Sequence, residues 1–487
     1  GPLRSMKSGT NKPLVIRDEI HGDISFEGIA RDVIDHEDFQ RLRSIKQLGL
    51  AEFVFPCATH TRFQHSLGAG YLAGQYFETM VKAWLTSPLE KDEKCGTSQL
   101  FINRTKKCFY EVATDSRSMD FWTDVSILSG LLHDVGHGPW SHTFEYLELD
   151  LDFSLITNKM EGCARFYFQE LARTKQSLKH EDISIVYIFR ILKDLEKDGT
   201  LENSDAYFLS VASLVNKKMT QGKFSASFRT ELQAALKKQK IRGGIDIHQL
   251  IRPLISGPFD VDRIDYIQRD GRNSGVQIGG IEWRRIVTKV IPCLASHPNT
   301  DGEPEDVVLI SNMKNQHVLD DFIFSLFQMY AQVYLHPKIV GIEEIARKEL
   351  QKRVSSRQNP KITFEVHRCL TDEKFRAMLK HDFRATRIEG VLLRQKGLEF
   401  HVGRYPKDPV LEKELIKNGF KLVELSERPM MKDSLGVYLY SILKSSKDLK
   451  SKRCYMKEWT TISELADRFF SIYYSPRVWV QREWKEK

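Results

Sequence analysis

The chain lacks any apolar run of the roughly 20 residues needed to cross a bilayer. No charged-then-apolar leader opens it. A membrane role is therefore not expected. The expected location is cytoplasmic, or nuclear if the source is eukaryotic. Cysteine is sparse and unpatterned: Cys57, Cys95, Cys108, Cys163, Cys293, Cys369 and Cys454 are the only seven, and no two form a C-x-x-C pair. That spacing fits reduced thiols better than a disulfide frame. No internal repeat is present, and there is no acidic excess. Lys plus Arg number 73 against 65 Asp plus Glu, a net charge of +8. So mild a basic balance suits an anionic ligand such as a nucleotide without defining one.

What is present is an ordinary globular composition, 41% hydrophobic and 28% charged over 487 residues. That length exceeds one core and implies two or three units. Gly1–Ser5 read as an expression scar and are set aside. Residues 6–355 read as a helical unit, with helices expected at Ile29–Leu48, His65–Trp84, Phe121–Leu132, 140–148, 158–174, 180–195, 205–218, 227–239, Phe259–Arg269 and 281–291. A strand is expected at Val307–Ile310, then a long helix from His317 to Val354. The polar stretch 86–118 reads as an insertion or mobile loop, and Lys237–Gly244 as a flexible crossing. Residues 356–487 change character. Strands are expected at Ile362–Val366, Gly390–Leu393, Leu398–Val402, Lys421–Leu425 and Gly436–Ser441, with helices at 373–380, 408–417 and 460–471. The fold class is thus mostly α, a helical core with a C-terminal α+β accessory domain.

The chemistry concentrates in Leu131-Leu132-His133-Asp134-Val135-Gly136-His137-Gly138-Pro139-Trp140-Ser141-His142. Adjacent His133 and Asp134 can share a metal only if their helix ends there and other segments complete the shell. Gly136 and Gly138 supply such an end, and Pro139 starts a new helix. Imidazole plus carboxylate suits zinc, iron or manganese and is least typical of magnesium. The missing ligands have candidates in His65 and Asp262. Asp262 lies in Phe259-Asp260-Val261-Asp262-Arg263-Ile264-Asp265-Tyr266, where Asp262, Tyr266 and Asp270 share one helix face.

With Asp18–Gly22, Phe39–Gly49, Phe55–Gly74, the 131–144 motif and 260–270, these segments resemble the HD phosphohydrolase superfamily and its H…HD…D signature. More closely, they resemble the dNTP triphosphohydrolase branch that includes the vertebrate SAM-and-HD-domain enzyme. The resemblance spans roughly residues 14–350. No SAM domain is expected, and 360–487 has no counterpart. The resemblance implies a helical HD-domain core and a divalent metal (Fe, Mn, Zn or Mg) on His65, His133, Asp134 and Asp262. It implies a catalytic layer of His137, His142, Glu145 and His180, with Glu145 where an aspartate is usual. It makes Arg62 a phosphate clamp, aided by Arg263 where a lysine is usual. Tyr266 and Asp270 match phosphate- and sugar-binding positions. Gln47 would meet the 3′-hydroxyl beside Asp270, and Leu48 and Tyr334 would exclude ribose. Leu326 stands where the family places a phosphate-binding arginine. Asp35, Gln40 and Arg43 match an allosteric pocket for an activating guanine nucleotide, although Leu14 replaces its lysine; a homo-oligomer, dimer or tetramer, follows by the same likeness.

The implied reaction is metal-dependent hydrolysis of a dNTP to deoxynucleoside and inorganic triphosphate. Two alternatives stand beside it. One keeps the metal but takes another nucleotide or phosphoester. The other is a nucleotide-sensing or nucleic-acid-binding scaffold, drawing on the Lys-rich stretch Lys444–Lys457, which otherwise reads as solvated surface.

Overall fold

The computed structural model describes residues 12–95, 98–145, 149–278, 280–296, 304, 306–336, 338–343, 346–347 and 361–381, and the strands Phe400–Gly403, Phe420–Glu424, Val437–Lys444, Lys452–Glu458 and Arg477–Gln481. The fold is mostly α with small sheets. Its centre is the helix Arg62–Leu85, which packs most extensively against Ser116–Leu132. Small residues make that approach possible. A Cβ on Gly70 would lie 2.6 Å from the Leu131 side chain, and one on Gly130 would lie 2.5 Å from the Ala69 carbonyl oxygen. Around this pair one apolar core gathers Trp84, Trp122, Phe109, Tyr187 and Phe259, all fully buried. Among the described residues no helix is long and apolar enough to cross a membrane.

Several expected elements take a different form. The stretch 86–118 contains the helix Ile102–Ala113, not a loop. Its Ile102, Thr105, Cys108, Phe109 and Val112 point inward at helical spacing, a pattern that the intervening lysines obscure. Ile29–Leu48 is broken at His36 into Gly28–Asp35, Glu37–Gln40 and a 3₁₀ turn at Arg41–Ser44. The long helix from His317 stops as an α-helix at Met329 and passes into a π-turn at Tyr330–Tyr334. Ile362–Val366 is a two-residue strand followed by a helix from Phe364, capped by the Thr363 hydroxyl. The strand at Gly390–Leu393 and the helices at 408–417 and 460–471 lie outside the described residues.

The N-terminal hairpin Leu14–Asp18/Gly22–Phe26 and the helix Gly244–Ile255 carry no expectation from the sequence. A six-stranded sheet joins Glu93–Cys95, Ser98–Leu100, Ile291–Ser296 and Asp306–Asn312 to Val437–Lys444 and Lys452–Glu458. Strands from both sides of residue 355 thus share one sheet, through the parallel pairing of Val437–Tyr440 with Leu309–Asn312.

The helix Gly244–Ile255 buries His248 completely. Its Nε2 meets the Ser213 hydroxyl at 2.9 Å. Burial, followed by the nearby Arg252 charge, pushes this imidazole down to about 3 from 6.5. The folded state therefore holds His248 neutral, while the unfolded chain takes up a proton below its own pKa. Stability from this group is complete above pH 6.5 and is lost as pH falls toward 3, at about 1.4 kcal/mol per pH unit. Urea titrations at pH 7 and pH 5 are expected to show this loss, and His248→Gln is expected to flatten the slope. An unchanged slope in the variant would assign the acid sensitivity elsewhere.

Candidate metal centre

Four segments deliver the cluster. The capping box Thr61/Gln64 starts the helix Arg62–Leu85, with the Thr61 backbone N–H donating to Gln64 Oε1 at 2.7 Å. This puts Arg62 and His65 on its first turn. His133 is the C-cap of Ser116–Leu132, so Asp134 leaves the helix in a new direction. Asp262 sits in the first turn of Val261–Ser274.

The expected ligand set converges. His65 Nε2 lies 3.1 Å from His133 Nε2 and 3.0 Å from Asp262 Oδ1. Asp134 Oδ2 lies 3.4 Å from His133 Nε2 and 3.6 Å from His65 Nε2. These separations match the roughly 3.3 Å edges of a tetrahedron with 2.0–2.1 Å metal–ligand bonds. The residues form a cluster able to hold a divalent ion.

Both imidazoles are set for it. His133 Nδ1–H donates to the Gly130 carbonyl at 2.8 Å, and His65 Nδ1–H to Asp265 Oδ2 at 2.8 Å. Each ring thereby presents its Nε2 lone pair to the cluster. Burial opposes the Asp262 charge, but hydrogen bonding to His133 and His65 holds that carboxyl below its usual range. Arg62 is buried, donating to Asp134 and, through Nε at 3.0 Å, to Ser141 Oγ.

Behind His65 stands a group that the sequence reading assigned no role. Asp265 accepts from His65, from His21 Nε2 at 2.7 Å, and from Arg269 Nε and Nη2 at 2.8 and 2.9 Å. Arg269 also pairs with Asp18 at 3.0 Å. Burial would raise the Asp265 carboxyl, yet Arg269 beside it, with these hydrogen bonds, holds it well below the usual carboxylate range. Gly68 makes room: a Cβ there would lie 1.9 Å from Asp265 Oδ1. A signal existed in the sequence, since Asp265 and Arg269 are an acid–base pair spaced i, i+4, with the apolar Ile264 and Ile267 close by.

The four residues expected as a catalytic layer also meet. His180 Nδ1 lies 2.6 Å from Glu145 Oε1, and the His137 ring stacks on His180 with centroids 4.0 Å apart. Burial works against the His180 charge, but the Glu145 hydrogen bond and charge raise it to about 9. Burial, then the Arg62 and His180 charges, press His137 well below the ordinary imidazole range. Glu145 is held low by His142 and His180 despite burial. His142 is the exposed member, its Nδ1 3.9 Å from Glu145 Oε1.

The turn that carries these groups is strained and clamped. Trp140 and Ser141 have φ of 57° and 52°, a left-handed conformation uncommon outside glycine. Arg41 donates to the Val135 and His137 carbonyls at 2.7 and 2.9 Å. Asp372 accepts from the backbone N–H groups of Trp140 and Lys46, both at 2.9 Å. Asp372→Ala removes both acceptors from a buried place. Its expected cost is about 2–4 kcal/mol, from two orphaned amides at roughly 1–2 each, read as a lower urea midpoint. A midpoint unchanged from the parent would deny the clamp.

The residues expected to bind substrate make the following contacts. Asp270 is already held, by His60 Nε2–H at 2.6 Å and the Tyr334 hydroxyl at 2.7 Å. His60 went unnoticed in the sequence. Tyr334 faces Tyr266 edge-on at 5.9 Å, and its π-turn is a distortion often found at functional sites. Gln47 is nearly buried, and among the described residues its side-chain oxygen has no hydrogen-bond partner. Leu48 packs against the core. Arg263 is tied to its own helix start, donating to Asp260 Oδ2 and the Gly257 carbonyl, each at 2.5 Å.

Of the expected allosteric trio, Arg43 Nε donates to Gln40 Oε1 at 2.7 Å and lies over the Phe63 ring at 3.7 Å. Asp35 instead faces Arg31 of its own helix, at 3.7 Å. Arg43 lines a polar cleft of about 340 Å³ with Thr59, His60, Thr61, Phe63, Gln64 and Asn273; none of the four metal-cluster residues lines it.

A helical core in which two imidazoles and two carboxylates from separate segments surround one point defines a metal-binding, HD-type centre. Comparison with known proteins agrees. The chain is 30% identical over 256 residues to the deoxynucleoside triphosphate triphosphohydrolase SAMHD1 homolog of Dictyostelium discoideum, covering 53% of this chain and 35% of that protein. It is 28% identical over 279 residues to human SAMHD1, covering 56% and 35%. It is 26% identical over 344 residues to an uncharacterized protein of Methanocaldococcus jannaschii, covering 70% and 50%. The matches thus span about half or less of these relatives' length. In fold, a phosphohydrolase from Bacteroides thetaiotaomicron superposes with a TM-score of 0.60 at 20% identity, covering 96% of this chain and 100% of that one. No family model matches the chain. The resemblance drawn from the sequence, to HD-domain phosphohydrolases and their dNTP triphosphohydrolase branch, is thereby shown.

Proposed function

We propose that this protein hydrolyses a deoxynucleoside triphosphate to deoxynucleoside and inorganic triphosphate. One observation carries the reading: the His65/His133/Asp134/Asp262 cluster is contacted at Asp134 by His137 of the layer His137/His142/Glu145/His180, and its Asp262 shares a helix with Tyr266 and with Asp270, which Tyr334 holds. A divalent ion on the cluster supplies the charge that neutralises phosphate oxygens and acidifies a water molecule.

The chain's own groups do the rest. Arg62 holds Asp134 in place and offers its guanidinium to the phosphates. Asp270, fixed by His60 and Tyr334, is positioned to accept from a sugar hydroxyl. Tyr334 and Tyr266 close the space beside the sugar ring, which favours a deoxy substrate. The departing 5′-oxygen needs a proton, and His142 is the group free to bring one. Glu145 orients it, and the cationic His180 keeps Glu145 in place.

The test is phosphorus NMR of the products after incubation with mixed dNTPs and manganese. Inorganic triphosphate with free deoxynucleoside is expected. Release of pyrophosphate or orthophosphate instead would move the protein to the alternative, an HD phosphohydrolase for another phosphoester.

The same resemblance favours a homo-oligomer and activation by a guanine nucleotide at Asp35, Gln40 and Arg43. The Gln40–Arg43 pair and the cleft that Arg43 lines support such a site, whereas Asp35 points to its own helix. Sedimentation with and without dGTP tests it; a nucleotide-independent state would remove the idea.

A further inference from the structure

The turn that carries His142 does not pack in the main core. Its Trp140 and Phe144 belong to a smaller apolar cluster with Leu50, Leu370 and Phe375. The Phe375 ring meets Trp140 edge-on at 5.2 Å and Phe144 at 5.4 Å. Leu370 and Phe375 come from the segment 361–381, which holds the helices Phe364–Cys369 and Asp372–His381. We propose that Asp372 is a positioning residue for the hydrolysis, and that docking of 361–381 completes the pocket by fixing the His142 turn against the stretch that carries Gln47.

The first argument is where the carboxylate sits. Asp372 is 8% exposed; its Oδ1 accepts from the Trp140 N–H and its Oδ2 from the Lys46 N–H, both at 2.9 Å. The Lys46 carbonyl in turn accepts from the Ser141 hydroxyl at 2.9 Å, and that hydroxyl accepts from Arg62 Nε at 3.0 Å. On the other flank the Gln47 N–H donates to the His60 carbonyl at 3.0 Å, and the Arg62 N–H to the Ile45 carbonyl at 2.9 Å. One carboxylate thus stands where 45–47, 60–62 and 140–142 meet, the stretches that carry Gln47, Arg62 and His142. The Thr143 N–H donates to the Trp140 carbonyl at 3.1 Å, so a shift at Trp140 is passed on to His142.

The second argument is that Asp372 is not spent on its own helix. The Thr371 hydroxyl takes the Lys374 N–H at 3.2 Å, which leaves the Asp372 oxygens to two amides 232 and 326 positions away. The third is that the metal cluster is held separately. The helices bearing His65, His133 and Asp262 pack into the main core through Leu67, Leu132 and Ile264. Arg41 ties the carbonyls of Val135 and His137 from within. Loosening 361–381 therefore displaces the proton donor more than the ion site.

The kinetic consequence rests on the function proposed above; the geometric one does not. The experiment takes Asp372→Asn and Asp372→Ala below their unfolding midpoints. Asparagine keeps the volume and one acceptor, so it serves where alanine unfolds the chain. Hydrogen exchange is expected to quicken at the Lys46 and Trp140 amides by about tenfold, the equivalent of one lost hydrogen bond. Metal affinity is expected to stay within about threefold of the parent, well short of the 10–100-fold that loss of a ligand's partner costs. On dNTPs kcat is expected to fall by about 10–100-fold, the scale of a misplaced reacting group. A nitrophenyl triphosphate, whose leaving group needs no acid, is expected to lose less than about threefold. A merely destabilised protein would lose both substrates equally, in step with its folded fraction. Equal losses on the two substrates, unchanged exchange at both amides, or metal affinity lost alongside kcat would each overturn the proposal. Wrong products in the NMR assay would move the rate comparison to the phosphoester that is cleaved and leave the exchange and metal results untouched.

Discussion

Asp265→Asn is expected to weaken metal binding by about 10–100-fold and to lower folding stability by roughly 3–5 kcal/mol. Both effects come from one carboxylate. Asp265 accepts from His65, His21 and Arg269, and all four side chains are out of water. Its charge fixes the proton of His65 on Nδ1 and leaves Nε2 for the ion. Asparagine fills the same volume but is neutral, and its amide end presents donors where donors already point. Arg269 then keeps only Asp18 as a close, buried counter-charge. A purely structural Asp265 would lose stability alone. The discriminating measurement is metal affinity of the folded variant, read by chelator competition below its unfolding midpoint. Affinity within twofold of the parent would remove Asp265 from the metal centre.

That residue marks the boundary of what the sequence discloses. The ligands were legible because their types are chemically rare together: two histidines and an acid around glycines, then an acid on a helix face. Their convergence follows from helix ends, and those ends are written locally, as the Thr61/Gln64 capping box and the Asp260 N-cap. Asp265 was not legible in the same way. It lies one turn beyond Asp262, toward the packing of Arg62–Leu85 at Gly68, and only that packing gives it a partner. The bend at Trp140–Ser141 was hidden for a different reason. Neither residue advertises positive φ, and the carboxylate that stabilises it, Asp372, comes from 232 residues away. The helix Ile102–Ala113 was missed because charged residues interrupt its inward stripe. Local grammar gave the cluster; the supporting contacts depended on tertiary context.

His142→Ala is expected to lower kcat by about 10²–10⁴-fold, the usual worth of a positioned proton donor, with KM and the ion at His65/His133/Asp134/Asp262 unchanged. The reasoning starts from exposure. His137 and His180 are packed against each other and against Glu145, whereas His142 stands at the open edge of the layer. It is therefore the member able to reach a leaving oxygen. A nucleoside 5′-oxygen departs as a poor leaving group unless protonated, so the variant should fail most on natural nucleotides. A triphosphate ester of nitrophenol leaves without help and should lose far less, within about tenfold of the parent, because a stable anion gains little from general acid catalysis. That contrast separates a proton donor from a residue that shapes the pocket. Equal losses on both esters would assign His142 to positioning and move the acid role to His180, whose proton is retained to about pH 9.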